Sequence, residues 1–216
     1  MSATLAARFA KALADTDASS DTLTERILDA ALEQFQLGGL RRSSMEDVAR
    51  RAGLSRVSIY RRFPQKDRLV ETVLLRECRR LVEDVGAAIK PLRDIGERVE
   101  ESFVILLRRL HNDPLATRLL ALEPEDLVVF MTIKAGPAIA LGTEFIAGLI
   151  RAAQREGSLP QYEARSVAEV LARMAHSLFL TPQGGTPLGT DRQARAFARS
   201  TILPILMRSA TPGVAH

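Results

Sequence analysis

A chain of 216 residues, 46% of them hydrophobic, is long enough for one small and one medium domain and carries enough apolar side chain to fill their cores, which excludes a disordered polymer. The single cysteine, Cys78, excludes an internal disulfide framework and suits a reducing cytoplasm, the location expected, and no apolar run approaches the length of a membrane span. A pI near 9.7 with a formal charge of +4 favours an acidic partner without naming it.

Residues 1–20 are rich in Ala, Ser, Thr and Asp and lack the hydrophobic stretch and cleavage site of a signal peptide, so a flexible or partly helical arm is expected. From Thr22 to Leu37, Leu23, Ile27, Ala30, Ala31 and Phe35 recur at helical spacing, and Gly38 and Gly39 end the run.

The stretch Ser44 to Phe63, SMEDVARRAGLSRVSIYRRF, reads as two short helices joined by a tight turn. Ser44 is a good N-cap with Asp47 three residues on, and Met45, Val48, Ala49 and Ala52 fall on one face. Gly53 stops that helix in a left-handed conformation, and Ser55 caps a second one. Ala49, small where two helices cross, and Ile59, pointing back to the same core, complete a helix-turn-helix. The second helix exposes Arg56, Ser58, Tyr60, Arg61 and Arg62, with Lys66 just beyond, groups that donate to phosphate oxygens and reach base edges in the major groove. Between Arg41 and Arg68 there are nine basic side chains against three acidic ones, so the basic excess is local to this motif.

The segment TERILDAALEQFQLGGLRRSSMEDVARRAGLSRVSIYRRFPQKDRLV resembles the DNA-binding region of the tetracycline-repressor (TetR) family, including the aliphatic-Tyr-x-x-Phe run of Ile59, Tyr60 and Phe63 and the pair Lys66 and Asp67. The resemblance implies an all-α protein: an N-terminal three-helix DNA-binding domain and a larger helical domain that dimerises and holds an inducer. By position, Arg56, Tyr60, Arg61, Arg62 and Lys66 look like the family's DNA-contacting residues, and Arg42, Ser44, Val57 and Ser58 complete the candidate set. Val57 stands where many members have glycine or another small residue, and its methyls suit a thymine methyl. The expected division is an arm over 1–20, a DNA-binding domain over 21–66 and an effector-binding and dimerisation domain over 67–210.

After Pro64 a long connector helix is expected from Lys66 until Gly86 or Pro91 interrupts it, with Cys78 a small residue on its apolar stripe. Further helices are expected over Asp94–His111, Pro114–Ala121, Glu123–Ala135 and Ala138–Arg155. Two last amphipathic helices, around Val167–Leu178 and Ala194–Met207, are the natural homodimer interface, with Pro204 kinking or shortening the second and a Gly- and Pro-rich linker, Thr181–Thr190, between them. A charge placed at Ala175 or Ala198 should disturb that interface.

Large deformable side chains on these segments, Phe103, Leu107, His111, Phe130, Met131, Phe145, Met174 and Phe179, with Thr143 as a polar option, suggest the lining of a mostly apolar effector pocket, since the resemblance implies a cavity in this domain. Catalysis has little support: His111, His176 and His216 show no metal-ligand spacing and there is no glycine-rich phosphate loop, so neither cofactor nor metal is expected. The residues, with the resemblance, imply a homodimeric regulator, a repressor, that binds a partly palindromic double-stranded DNA operator and is released by a small, mostly apolar effector. A ligand-independent dimeric DNA binder is the alternative.

Overall fold

The computed structural model describes residues 22–181 and 184–208, so the expected N-terminal arm lies outside the described residues. The fold is all-α, with no strand among the described residues. The chain forms α1 (Thr22–Gly38), α2 (Met45–Ala52), α3 (Arg56–Arg62), α4 (Lys66–Ile89), α5 (Ile95–Asn112), α6 (Pro114–Leu122), α7 (Pro124–Thr132), α8 (Gly136–Arg155), α9 (Ala164–Leu180), α10 (Asp191–Phe197) and α11 (Leu203–Met207). Gly86 does not break α4, which runs on to Ile89. One glycine costs a helix only about 1 kcal/mol, too little to end a long amphipathic run.

The chain divides into two compact units, one of residues up to Glu77 with Asp113–Pro137, the other Cys78–Asn112 with the chain from Ala138 onward. In the first, Ile27, Ala31 and Phe35 of α1 meet Met45, Val48, Ala49 and Ala52 of α2, Ile59 of α3, and Leu69 and Val73 of α4. Leu115 and Leu119 of α6 and Leu127 of α7 close the same core. This differs from a boundary at residue 66, which assigned α6 and α7 to the larger domain. Pro114 and Pro124 cut this stretch into two helices of nine residues each, too short to span a bundle, and their inward leucines fit against α1 instead.

In the second unit Phe103, Val104 and Leu107 of α5 pack with Ala147 and Ile150 of α8, Ala168 and Leu171 of α9, and Ala194, Ala198, Ile202 and Leu206 near the C-terminus. Phe103 and Phe197 stack with centroids 5.3 Å apart. Pro204 acts as expected, and the mechanism is visible: because proline has no N–H, the helical ladder slips into a π turn over Ala198–Ile202, where the Leu203 N–H reaches back to the Ala198 carbonyl, before α11 resumes.

Two glycines of the first unit are required by backbone conformation. Gly53 has φ +64 and ends α2, and Gly39 has φ +78 after α1. A Cβ on Gly53 would meet only the end of Arg26, at 3.6 Å, whereas one on Gly39 would lie 2.6 Å from the Glu123 carboxylate. Gly53→Ala should therefore cost only the left-handed penalty of roughly 1–2 kcal/mol, and Gly39→Ala clearly more. Denaturant midpoints of the two variants check the order, and equal losses would show that the carboxylate yields freely.

Candidate nucleic-acid interface

The reading motif is built as its residues dictate. The Ser44 hydroxyl accepts the Asp47 N–H at 3.1 Å while the Asp47 carboxylate accepts the Ser44 N–H at 3.1 Å, a complete capping box. The Ser44 hydroxyl also donates to Asp47, at 2.6 Å, and these hydrogen bonds hold the Asp47 carboxyl below the usual carboxylate range. At the other end Gly53 takes the left-handed cap, and the Arg26 guanidinium donates to the Ala52 carbonyl at 2.8 Å. Ser55 then accepts the Ser58 N–H at 3.2 Å and starts α3.

Of α3 itself only Ile59 is buried, at 0% exposure, and the opposite side is open to solvent. Val57 is 76% exposed, and Arg56 and Arg61 stand exposed beside it. The Arg56 guanidinium lies 5.3 Å from the centroid of the Tyr60 ring and pairs with Glu46 of α2 at 2.8 Å, so cation and ring are braced together.

Other members of the candidate set have structural partners. Arg62 donates to the buried Thr24 hydroxyl of α1 at 2.7 Å. The Lys66 ammonium donates to the Leu40 carbonyl in the α1–α2 loop, the Ser44 hydroxyl is committed to the capping box, and Ser58 shares a hydrogen bond with Ser55 at 2.9 Å. Arg42 is exposed on that loop. Sequence reasoning missed the acids that shape the loop. The Glu123 carboxylate accepts the N–H groups of Leu40 and Arg41, and Asp126 and Glu125 pair with Arg41, drawing one of the nine basic groups away from the motif's balance. No local pattern signals these partners, which lie about eighty residues away in sequence.

A compact three-helix unit with an exposed basic, aromatic tip is what a helix inserted into the major groove requires. Residues 27–73 match the family described as bacterial regulatory proteins, tetR family. An uncharacterized HTH-type transcriptional regulator of Mycobacterium tuberculosis is 29% identical over 152 residues, covering 70% of this chain and 77% of that protein. The HTH-type transcriptional repressor KstR of Rhodococcus jostii is 35% identical over 111 residues, 50% of this chain and 51% of that one. This chain carries a TetR-family DNA-binding segment.

Its fold is shared along nearly its whole length with the TetR family repressor AlkX from a Dietzia strain, with a TM-score of 0.67 at 23% identity, covering 85% of this chain and 98% of that one. The matched segment and the curated relatives make the protein a helix-turn-helix transcriptional regulator, and the family is one of regulators rather than enzymes. Among the described residues no single helix is long and apolar enough to cross a membrane.

The residues named for a TetR effector pocket fall in both units. Phe130 and Met131 belong to the first, where Met131 packs against the core beneath the reading motif. Phe103, Leu107, Thr143, Phe145, Met174 and Phe179 belong to the second, in which Phe103, Leu107 and Thr143 are buried, Phe145 and Phe179 half-buried, and Met174 packs on the core. The Thr143 hydroxyl donates to the Ile139 carbonyl of its own helix at 2.8 Å, and His111 is exposed at the end of α5.

Two predictions follow from these partners. Arg61→Ala should weaken DNA binding and leave the melting temperature unchanged, whereas Arg62→Ala should also lower the melting temperature through its lost bond to Thr24. Equal melting temperatures in the two variants would show that the Thr24 bond contributes nothing. Because the Asp47 carboxyl is lowered in the folded state, its contribution to stability is complete above the ordinary carboxylate range and is lost as pH falls through the lowered folded value. Ser44→Ala should cost about 1 kcal/mol at neutral pH and flatten that acid limb, measured by urea unfolding from pH 7 down to roughly 3.

Proposed function

We propose that this protein is a cytoplasmic, ligand-responsive homodimeric repressor, each subunit presenting α3 to one half-site of a partly palindromic operator, and that a small, mostly apolar effector releases it. The observation that carries the DNA-binding part is the exposure of Arg56, Val57 and Arg61 on a helix whose one buried residue is Ile59. Two reading heads on one duplex need a fixed separation, so an effector that changes it discards the contacts of one head.

Repression is supported by the relatives, since KstR and the Dietzia AlkX both carry the name repressor. An apolar effector is supported by the aromatic and aliphatic residues of α5, α8 and α9, and by that AlkX, which is implicated in biodegradation of n-alkanes. A homodimer through α9 and the C-terminal helices is supported by Val170, 59% exposed, and Met207, 49% exposed, apolar groups that a partner would cover. Ala198 is 0% exposed within the protomer's own core, so a charge there reports on folding. Ala175, half-buried on α9, is the position that reports on association.

Sedimentation of the wild type should give a dimer, and Ala175→Glu a folded monomer. A folded Ala175→Glu dimer would move the interface elsewhere. Duplexes selected by the wild type from a random-sequence library should contain inverted half-sites, and alkanes, alkanols or fatty acids should release them where hydrophilic metabolites do not. Release only by strongly charged compounds would sink the apolar effector.

A further inference from the structure

The loop between α1 and α2 is held by a carboxylate from far along the chain. Glu123, at the junction of α6 and α7, is 4% exposed, and its two oxygens accept the Leu40 N–H at 2.7 Å and the Arg41 N–H at 2.8 Å. Although Glu123 occupies the N-cap position of α7, its side chain makes no cap bond to that helix. A glutamate needed only to start α7 would turn to α7's own free amides; this one reaches away to the loop. A Cβ at Gly39 would lie 2.6 Å from the same carboxylate, so a side chain there would have to displace it. From the other direction the Lys66 ammonium donates to the Leu40 carbonyl and reaches the Arg41 carbonyl at 3.5 Å, so the loop backbone is gripped through its N–H and C=O groups at once. Arg41 is drawn to Asp126 at 2.6 Å and Glu125 at 2.9 Å. The next residue is Arg42, exposed, and two further on Ser44 opens α2.

We propose that Glu123 is a positioning residue for DNA binding, fixing the loop so that Arg42 meets a phosphate while α3 lies in the major groove. This rests on α3 being the reading helix. Two adjacent peptide N–H groups shared by one carboxylate fix two successive peptide planes, and a charged acceptor makes each bond stronger than a neutral one. Without the carboxylate the loop keeps its sequence and Arg42 keeps its charge, but the guanidinium no longer starts from the height of the phosphate, and binding must order it.

Glu123→Gln tests this in the full-length protein, because the amide keeps the volume but sets an NH2 group against one of the two loop N–H groups. The probe is a duplex selected from a random-sequence library by the wild type, titrated at several salt concentrations beside Arg42→Ala, Arg61→Ala and the Glu123→Gln/Arg42→Ala double variant. The expected result for Glu123→Gln is a folded protein with a lowered melting temperature, faster amide exchange at Leu40 and Arg41, about tenfold weaker binding and a salt slope shallower by about one phosphate. In the Arg42→Ala background the same change should weaken binding no further, a non-additivity that a merely structural glutamate would not produce. Wild-type affinity and slope in Glu123→Gln, or full additivity with Arg42→Ala, would overturn the proposal. If Arg61→Ala weakens binding and Glu123→Gln does not, only the role of Glu123 falls. Unchanged binding in Arg61→Ala removes α3 as the reading helix, and this proposal with it. Should Glu123→Gln fail to fold, Glu123→Asp, which keeps the charge but withdraws it by one methylene, is read by the same criteria.

Discussion

A helix of seven residues has almost no stability of its own, and α3 is such a helix. What holds it in place is the burial of Ile59 against α1, α2 and α4, together with a serine cap at one end and the buried Phe63 at the other. The outward face of α3 is therefore free to be chosen for DNA, because none of its residues is needed for the core. The small unit around Ile59 converts a marginal helix into a rigid reading head.

The electrostatics of that head are more compensated than its composition suggests. Arg41 is held by Asp126 and Glu125, Arg51 by Glu33, Arg50 by Asp47 and Arg56 by Glu46. Most of these pairs are exposed, where an ion pair contributes little to stability, so a phosphate can displace the acid at small cost. In the free protein they act chiefly to orient long side chains. Arg61, which makes none of these pairs, is exposed at the tip.

The second unit follows a different logic. Its helices meet through small residues, Ala147, Ala153, Ala164, Ala168, Ala194 and Ala198, which let backbones approach closely, with the Phe103–Phe197 stack filling the wider space. Surface ion pairs such as Arg98 with Glu156 and Arg195 with Glu101 bridge neighbouring segments. The π turn before Pro204 shows a local rule broken and locally repaired, since one re-registered hydrogen bond carries the helix past the missing N–H.

The sequence by itself determined whatever depends on near neighbours. The capping box of Ser44 and Asp47 and the left-handed Gly53 arise from interactions within a few residues, and the buried face of α2 and the inward Ile59 show as local spacing, so periodicity and turn chemistry are enough to find them. The family resemblance was legible for the same reason, because its motif is one continuous segment. Only the tertiary structure decided which of the exposed-looking cations are engaged. Lys66 on the Leu40 carbonyl, Arg62 on Thr24 and Arg41 on Asp126 have partners between 26 and 85 residues away. The same holds for α6 and α7, whose apolar residues have no preference between one core and another until α1 offers a fitting face, and for Glu123, which reads along the chain as an ordinary helix start. Hydrogen bonds and packing between distant segments carry no periodic signal, and that is why they had to be seen in three dimensions.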